Sequence, residues 1–210
     1  MVRKDIASFI KSISEDVTIV AATKYVDVDD MMVLLNNGII NFGENRVNAF
    51  LGKYQKLQNE KDIIWHFIGH LQSNKAKDVV DKIDYLHSLD SLRLAAKVEE
   101  YRSTPLPCFI EVSINLEENK NGVPYYEVES FINELKKYPK VHIVGLMMMA
   151  IQGSENPYEE FNKLTILRDE LEKKCQISLP YLSMGMSDDY IDAIKAKATH
   201  IRLGRILFSE

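Results

Sequence analysis

A lysine that directly follows an apolar strand is a candidate amine nucleophile, and Lys24 stands there in the run VTIVAATK. At a buried strand end the ammonium is partly desolvated, which lowers its pKa. A neutral amine can then attack an aldehyde. From position alone, a solvated loop lysine is the competing reading. Four other segments gather polar residues at expected strand ends. In NFGENR, Asn41 to Arg46, Gly43 permits a close backbone approach, and Asn45 and Arg46 open a helix. In WHFIGHLQSNK, Trp65 to Lys75, His66 reads as a hydrogen-bonded core histidine, whereas His70 and Gln72 fall in the following loop, within reach of a ligand. Those two histidines lack a nearby acid and no HExxH occurs, so metal binding is not expected.

LSMGMSDD, Leu182 to Asp189, joins a strand end, a glycine turn and a serine that reads as a helix cap. Hydroxyls and free N–H groups there make a phosphate seat. In HIRLGR, His200 to Arg205, alternation turns Arg202 inward, where a guanidinium needs a partner. An interior carboxylate such as Glu111 would serve as a structural partner. Gly204 allows close backbone approach beside the phosphate seat.

The elements that must position these groups alternate regularly. Strands are expected at Val17–Ala22, Ile39–Phe42, Ile63–Ile68, Tyr85–Leu89, Cys108–Ile114, His142–Met148, Tyr181–Met184 and His200–Leu203. Amphipathic helices fall between them, with stripes such as Phe161, Leu164, Leu167 and Leu171. A leading helix is expected over about Lys4–Ile13. Asp27, Asp90 and Ser187 read as N-caps, and Gly38 as a helix terminator. Eight strand–helix alternations predict a single-domain α/β fold over residues 1–210, a (β/α)8 TIM barrel with its chemistry at the C-terminal strand ends. No GxGxxG follows the first strand, which counts against a dinucleotide-binding open sheet.

The 210 residues are 46% hydrophobic and 27% charged, ordinary values for a globular chain. With a net charge of −5 and no long basic run, neither nucleic acid nor an anionic membrane is an expected partner. Two cysteines, Cys108 and Cys175, cannot build a disulfide framework and read as free thiols. Neither a signal peptide nor a spanning stretch is apparent, so a cytoplasmic location is expected.

Taken together, AATK, NFGENR, WHFIGHLQSNK, HSLDS, GLMMM, LSMGMSDD and IRLG resemble the YggS/PROSC family of pyridoxal phosphate homeostasis proteins, over nearly the whole chain. The resemblance implies a barrel like the N-terminal domain of alanine racemase, and pyridoxal 5'-phosphate (PLP) held as a Schiff base on Lys24. It implies Asn45 near the ring, Ser183 and Gly204 at the phosphate, and Arg202 at the pyridine nitrogen. Backbone around Gly185 and Arg205 would complete the phosphate cup. Arg205 departs from the family pattern, which has a small hydroxyl residue there, so the backbone N–H or the guanidinium must substitute.

An arginine at the ring nitrogen donates and keeps that nitrogen unprotonated, which weakens the electron sink. Racemisation also needs a base on each substrate face, and no second domain is expected to supply one. The expected function is therefore a PLP carrier without turnover and without catalytic residues, delivering to apo PLP-dependent enzymes, as a monomer or weak dimer. A small PLP-dependent racemase is the alternative. An aldolase-type Schiff-base enzyme using Lys24 without PLP is a third possibility.

Overall fold

The computed structural model describes residues 1–114, 121–151 and 153–208. Strands β1 (Thr18–Ala22), β2 (Asn41–Glu44), β3 (Ile64–Phe67), β4 (Tyr85–Leu89) and β5 (Leu106–Ser113) are followed by a two-residue strand, β6 (Val123–Pro124), and then by β7 (Val141–Met147), β8 (Tyr181–Ser183) and β9 (His200–Leu203). Neighbours run in parallel in the order β4-β3-β2-β1-β9-β8-β7-β5, and β4 pairs with β5 to close the ring. The expected TIM barrel is thus the observed one. The short β6, which carries no strand signal of its own, pairs with the end of β5 at Val112 and Ser113.

Helices α1 (Ile6–Lys11), α2 (Val28–Asn36), α3 (Val47–Lys56), α4 (Ala76–Val79), α5 (Leu92–Tyr101), α6 (Val128–Leu135), α7 (Pro157–Cys175) and α8 (Tyr190–Lys195) surround the strands. Large apolar side chains such as Phe42, Phe50, Phe67, Leu86, Phe161 and Leu182 are fully buried in the main core. Each such burial is worth ~1.5–3 kcal/mol. A separate small cluster, Phe109, Val144 and Met147, packs with Tyr85 and Tyr181.

Local rules account for several helix ends. Asp27 caps α2, its carboxylate accepting the Asp30 N–H at 2.9 Å. Gly38, at φ +90°, terminates the same helix: its N–H donates to Leu35 O and that of Ile39 to Leu34 O. Ile39 thereby belongs to the helix terminus, which is why β2 begins at Asn41, two residues later than expected. Two expected caps are corrected. The Asp90 carboxylate lies 3.0 Å from His70 Nδ1, and Ser91 caps α5 instead. Ser187 does not cap α8, which opens only at Tyr190 behind Asp189. The Ser187 hydroxyl instead accepts from the N–H groups of Gly204 and Ile206, at 3.2 and 3.4 Å.

The turn after β1 is tied down from outside the barrel. Thr23 Oγ1 donates to Glu44 Oε1 at 2.6 Å, and Lys53 of α3 bonds both that oxygen and the Thr23 carbonyl. Glu44 is completely buried, and its other oxygen has no hydrogen-bond partner. Removing the lysine strands a buried carboxylate, so Lys53→Met is expected to cost about 3 kcal/mol or more. Urea denaturation checks this, and adding Glu44→Gln should recover much of the loss.

Candidate functional site

The β1–β9 seam brings the two ends of the chain together. Val20 lies opposite Arg202 and Ala21 opposite Leu203, while on the other side Ala22 lies opposite Gly43. Lys24 follows the C-terminal end of β1 by two residues, in a turn where the Thr23 N–H donates to Gly43 O and the Val26 N–H to Thr23 O. Of the residues named from sequence, Lys24, Asn45 and Gly204 thus lie just past the C-terminal ends of the neighbouring strands β1, β2 and β9, and Arg202 lies within β9.

One expectation about Lys24 is corrected. Its side chain is exposed rather than partly desolvated, with Nζ 4.8 Å from the centroid of the Tyr25 ring. The buried position at this strand end belongs to Thr23, held by Glu44, and the turn carries the next residue outward. Asn45 keeps a buried Oδ1 without a hydrogen-bond partner. Its backbone fits so tightly against Gly69 that a Cβ on that glycine would fall 2.3 Å from Asn45 O. Asn45 also lines a cleft of about 570 Å³ with Arg46, His70, Gln72 and Lys75.

Arg202 points inward, as alternation predicts, and is 5% exposed. Its Nη1 donates to Ser183 Oγ at 2.7 Å and its Nη2 to Met148 O at 2.9 Å. Both acceptors are neutral. Burial lowers its pKa to about 10, while Glu111 and Asp189 support the charge through space. Among the described residues Glu111 forms no contact ion pair with it, so the competing reading of Arg202 as half of a structural ion pair is not what the structure shows. Glu111 itself, 5% exposed, is pushed up to about 7, first by burial and then by the Asp90 charge, with Arg202 and His70 opposing.

The proposed phosphate residues divide between two places. Ser183 is buried inside the barrel, where its hydroxyl lies between Arg202 and His87 Nδ1, the latter at 2.8 Å. Gly204 instead offers its N–H to Ser187, at the entry to a 3-10 turn over Arg205–Leu207. The Arg205 guanidinium bonds Asp188, and both side chains are more than three-quarters exposed. Of the two substitutes left open for the missing hydroxyl, the guanidinium is thus directed into solvent. Gly185, at φ +91°, cannot be replaced easily, because a Cβ there would lie 2.5 Å from that of Ala193. Ser187 is the residue that sequence reasoning assigned to the wrong task. Its signal was present, since a hydroxyl one turn past a glycine bend can cap any nearby group of free N–H donors.

Sequence reasoning named His66 as a core histidine but missed His87 and His200 inside the barrel. His66 Nδ1 lies 2.8 Å from His87 Nε2, and His66 Nε2 lies 3.0 Å from Asn41 Oδ1. Burial lowers the pKa of both rings well below the ordinary histidine value, and that of His200 to about 4. The expectation of His66 as a hydrogen-bonded core residue agrees with its position.

Comparison with known proteins agrees with this architecture. The family described as alanine racemase, N-terminal domain, matches residues 7–210. A pyridoxal phosphate homeostasis protein of Aquifex aeolicus is 37% identical over 197 residues, covering 91% of this chain and 86% of the relative. One from Synechocystis is 37% identical and covers 97% and 96%. The structure of PipY from Synechococcus elongatus PCC7942 without PLP superposes with a TM-score of 0.92 at 30% identity, covering both chains fully. The PLP-bound form of PipY gives 0.88, covering 97% of this chain and 100% of that one. An alanine racemase of Clostridium difficile 630 shares the fold at 16% identity and a TM-score of 0.80, with this chain spanning 58% of its length. A barrel with its lysine at the mouth, matched end to end by such relatives, places this chain in the family of pyridoxal phosphate homeostasis proteins.

Proposed function

We propose that this protein holds pyridoxal 5'-phosphate through Lys24 and serves the homeostasis of that cofactor as a carrier, without substrate turnover. The observation that carries the reading is Arg202, a charged group buried inside the barrel with, among the described residues, only neutral oxygens in hydrogen-bond contact. Burying a charge without a contact counter-ion is costly, and a ligand that accepts its hydrogen bonds offsets part of that cost.

The residues present fit the group. Lys24 supplies an accessible amine. Asn45 holds an unused buried polar atom at the end of the neighbouring strand. The N–H groups of Gly204 and Ile206, now satisfied by Ser187, are donors of the kind a phosphate binds. When bound, PLP supplies an aldehyde for the lysine, a ring able to accept electron density, and a phosphate.

Arg202 is the electrostatic determinant. It presents N–H donors and accepts no proton, so a ring nitrogen facing it stays an acceptor. That arrangement restrains carbanion chemistry, which suits storage better than turnover. The relatives that match along most of their length carry the homeostasis name, whereas the likeness to alanine racemases is one of fold. Apo PLP-dependent enzymes are the recipients that a carrier of this kind would serve.

Glu111 modulates the same charge. Its raised pKa means the folded state favours the protonated carboxyl. The resulting stability is fully present below the ordinary glutamate pKa and is lost as pH rises through about 7. Wild type is therefore expected to lose on the order of 2–3 kcal/mol relative to Glu111→Gln between pH 5 and pH 8. Parallel denaturation curves of the two proteins across that range check the slope.

The carrier reading is tested by saturating the protein with PLP, reducing with borohydride and mapping the modified peptide. A pyridoxyl group on residue 24, absent in Lys24→Ala, is expected, with no exchange of the α-proton of added amino acids. Labelling elsewhere, or rapid α-proton exchange with turnover, would overturn it.

A further inference from the structure

Ser183 accepts from Arg202 and so has one proton left to give. Its other close partner is His87 Nδ1, at 2.8 Å. A ring that accepts at Nδ1 while neutral must carry its proton on Nε2. That proton points at His66 Nδ1, 2.8 Å away. His66 in turn must be protonated on Nε2, and there it meets Asn41 Oδ1 at 3.0 Å, an acceptor. Every donor therefore runs one way, from Arg202 through Ser183, His87 and His66 to Asn41. Starting at the asparagine gives the same direction.

The rings are also clamped. Tyr85 stacks on His66 at 4.8 Å with planes 6° apart, and Phe109 lies against His87 at 4.3 Å and 28°. Turning either imidazole over would break its two hydrogen bonds, and the stacked neighbours hold the ring planes in place. Neutral histidines are what burial favours here.

We propose that His87 and His66 are positioning residues that hold the Arg202 guanidinium, through Ser183, in the orientation that meets the cofactor. Ser183 accordingly belongs to this relay and is not a phosphate ligand. The inference rests on the reading that Arg202 faces the ring nitrogen, but its geometry is a property of the chain alone. A hydroxyl that has lost its proton acceptor is free to rotate, and Arg202 then loses a fixed acceptor.

Two measurements test it separately. Nitrogen-15 NMR of the cofactor-free protein at neutral pH is expected to show both rings protonated on Nε2 and bare on Nδ1. An Nδ1–H tautomer or an imidazolium on either ring would overturn the relay. Among variants, His87→Phe keeps an aromatic ring against Phe109 but can neither accept nor donate. His87→Asn restores an acceptor near the Nδ1 position. The Phe variant is expected to release PLP about tenfold faster and to shift the visible band of the bound cofactor, with the Asn variant returning toward wild type. Borohydride should still mark Lys24 in all three. A Phe variant with unchanged release and band, or an Asn variant no better than Phe, overturns the proposal. Should His87→Phe fail to fold, Ser183→Ala must shift the band instead, and an unchanged band there has the same force. Absence of the Lys24 label in wild type would sink the carrier reading and leave the NMR result to decide the relay.

Discussion

A guanidinium inside a barrel must be given acceptors, and the way Arg202 receives them organises the rest of the interior. Its contacts are a serine hydroxyl on β8 and a carbonyl just past β7, so three adjacent strands converge on one side chain. Its charge is compensated only from a distance, by Glu111 and Asp189. Burial pulls its pKa down to about 10, which still leaves it charged at neutral pH. The interior therefore carries a fixed positive centre whose field is directed rather than cancelled by contact.

That choice separates two jobs that many domains combine. The apolar layer between strands and helices supplies the burial that stabilises the fold. The space enclosed by the strands holds histidines, tyrosines and a charged arginine, which add little net stability but define a single arrangement. Outside the barrel, Glu44 and Lys53 repeat the theme at the root of the β1 turn, fixing the residue beside Lys24 rather than Lys24 itself. The Lys24 amine stays accessible while the backbone next to it is anchored.

Much of this was legible in the chain because it depends on period and punctuation. The strand–helix alternation, the inward direction of Arg202, the Asp27 cap and the Gly38 terminator all follow from local rules. What was not legible depends on which distant strands become neighbours. Nothing in the spacing of His66, His87 and Ser183 says that their side chains meet, because β3 and β8 lie on different arcs of the ring. The same holds for the Lys53 partner of Glu44, and for Ser187, which bonds the backbone of another strand end rather than its own helix. Asp90 misled because a carboxylate beside a serine can cap or pair, and only the nearby His70 decides which. Lys24 misled because burial of a strand says little about the turn two residues later.

Pairing of β1 with β9 has a consequence for biosynthesis. The strand before Lys24 leaves the ribosome early, yet the guanidinium and the backbone donors at the β9 end are translated only after seven further strands. An emerging chain thus exposes residue 24 while its partners across the seam are still unmade. Only when the ninth strand docks beside the first does the mouth exist, so any ligand gripped across that seam is held by the closed barrel and not by a fragment of it.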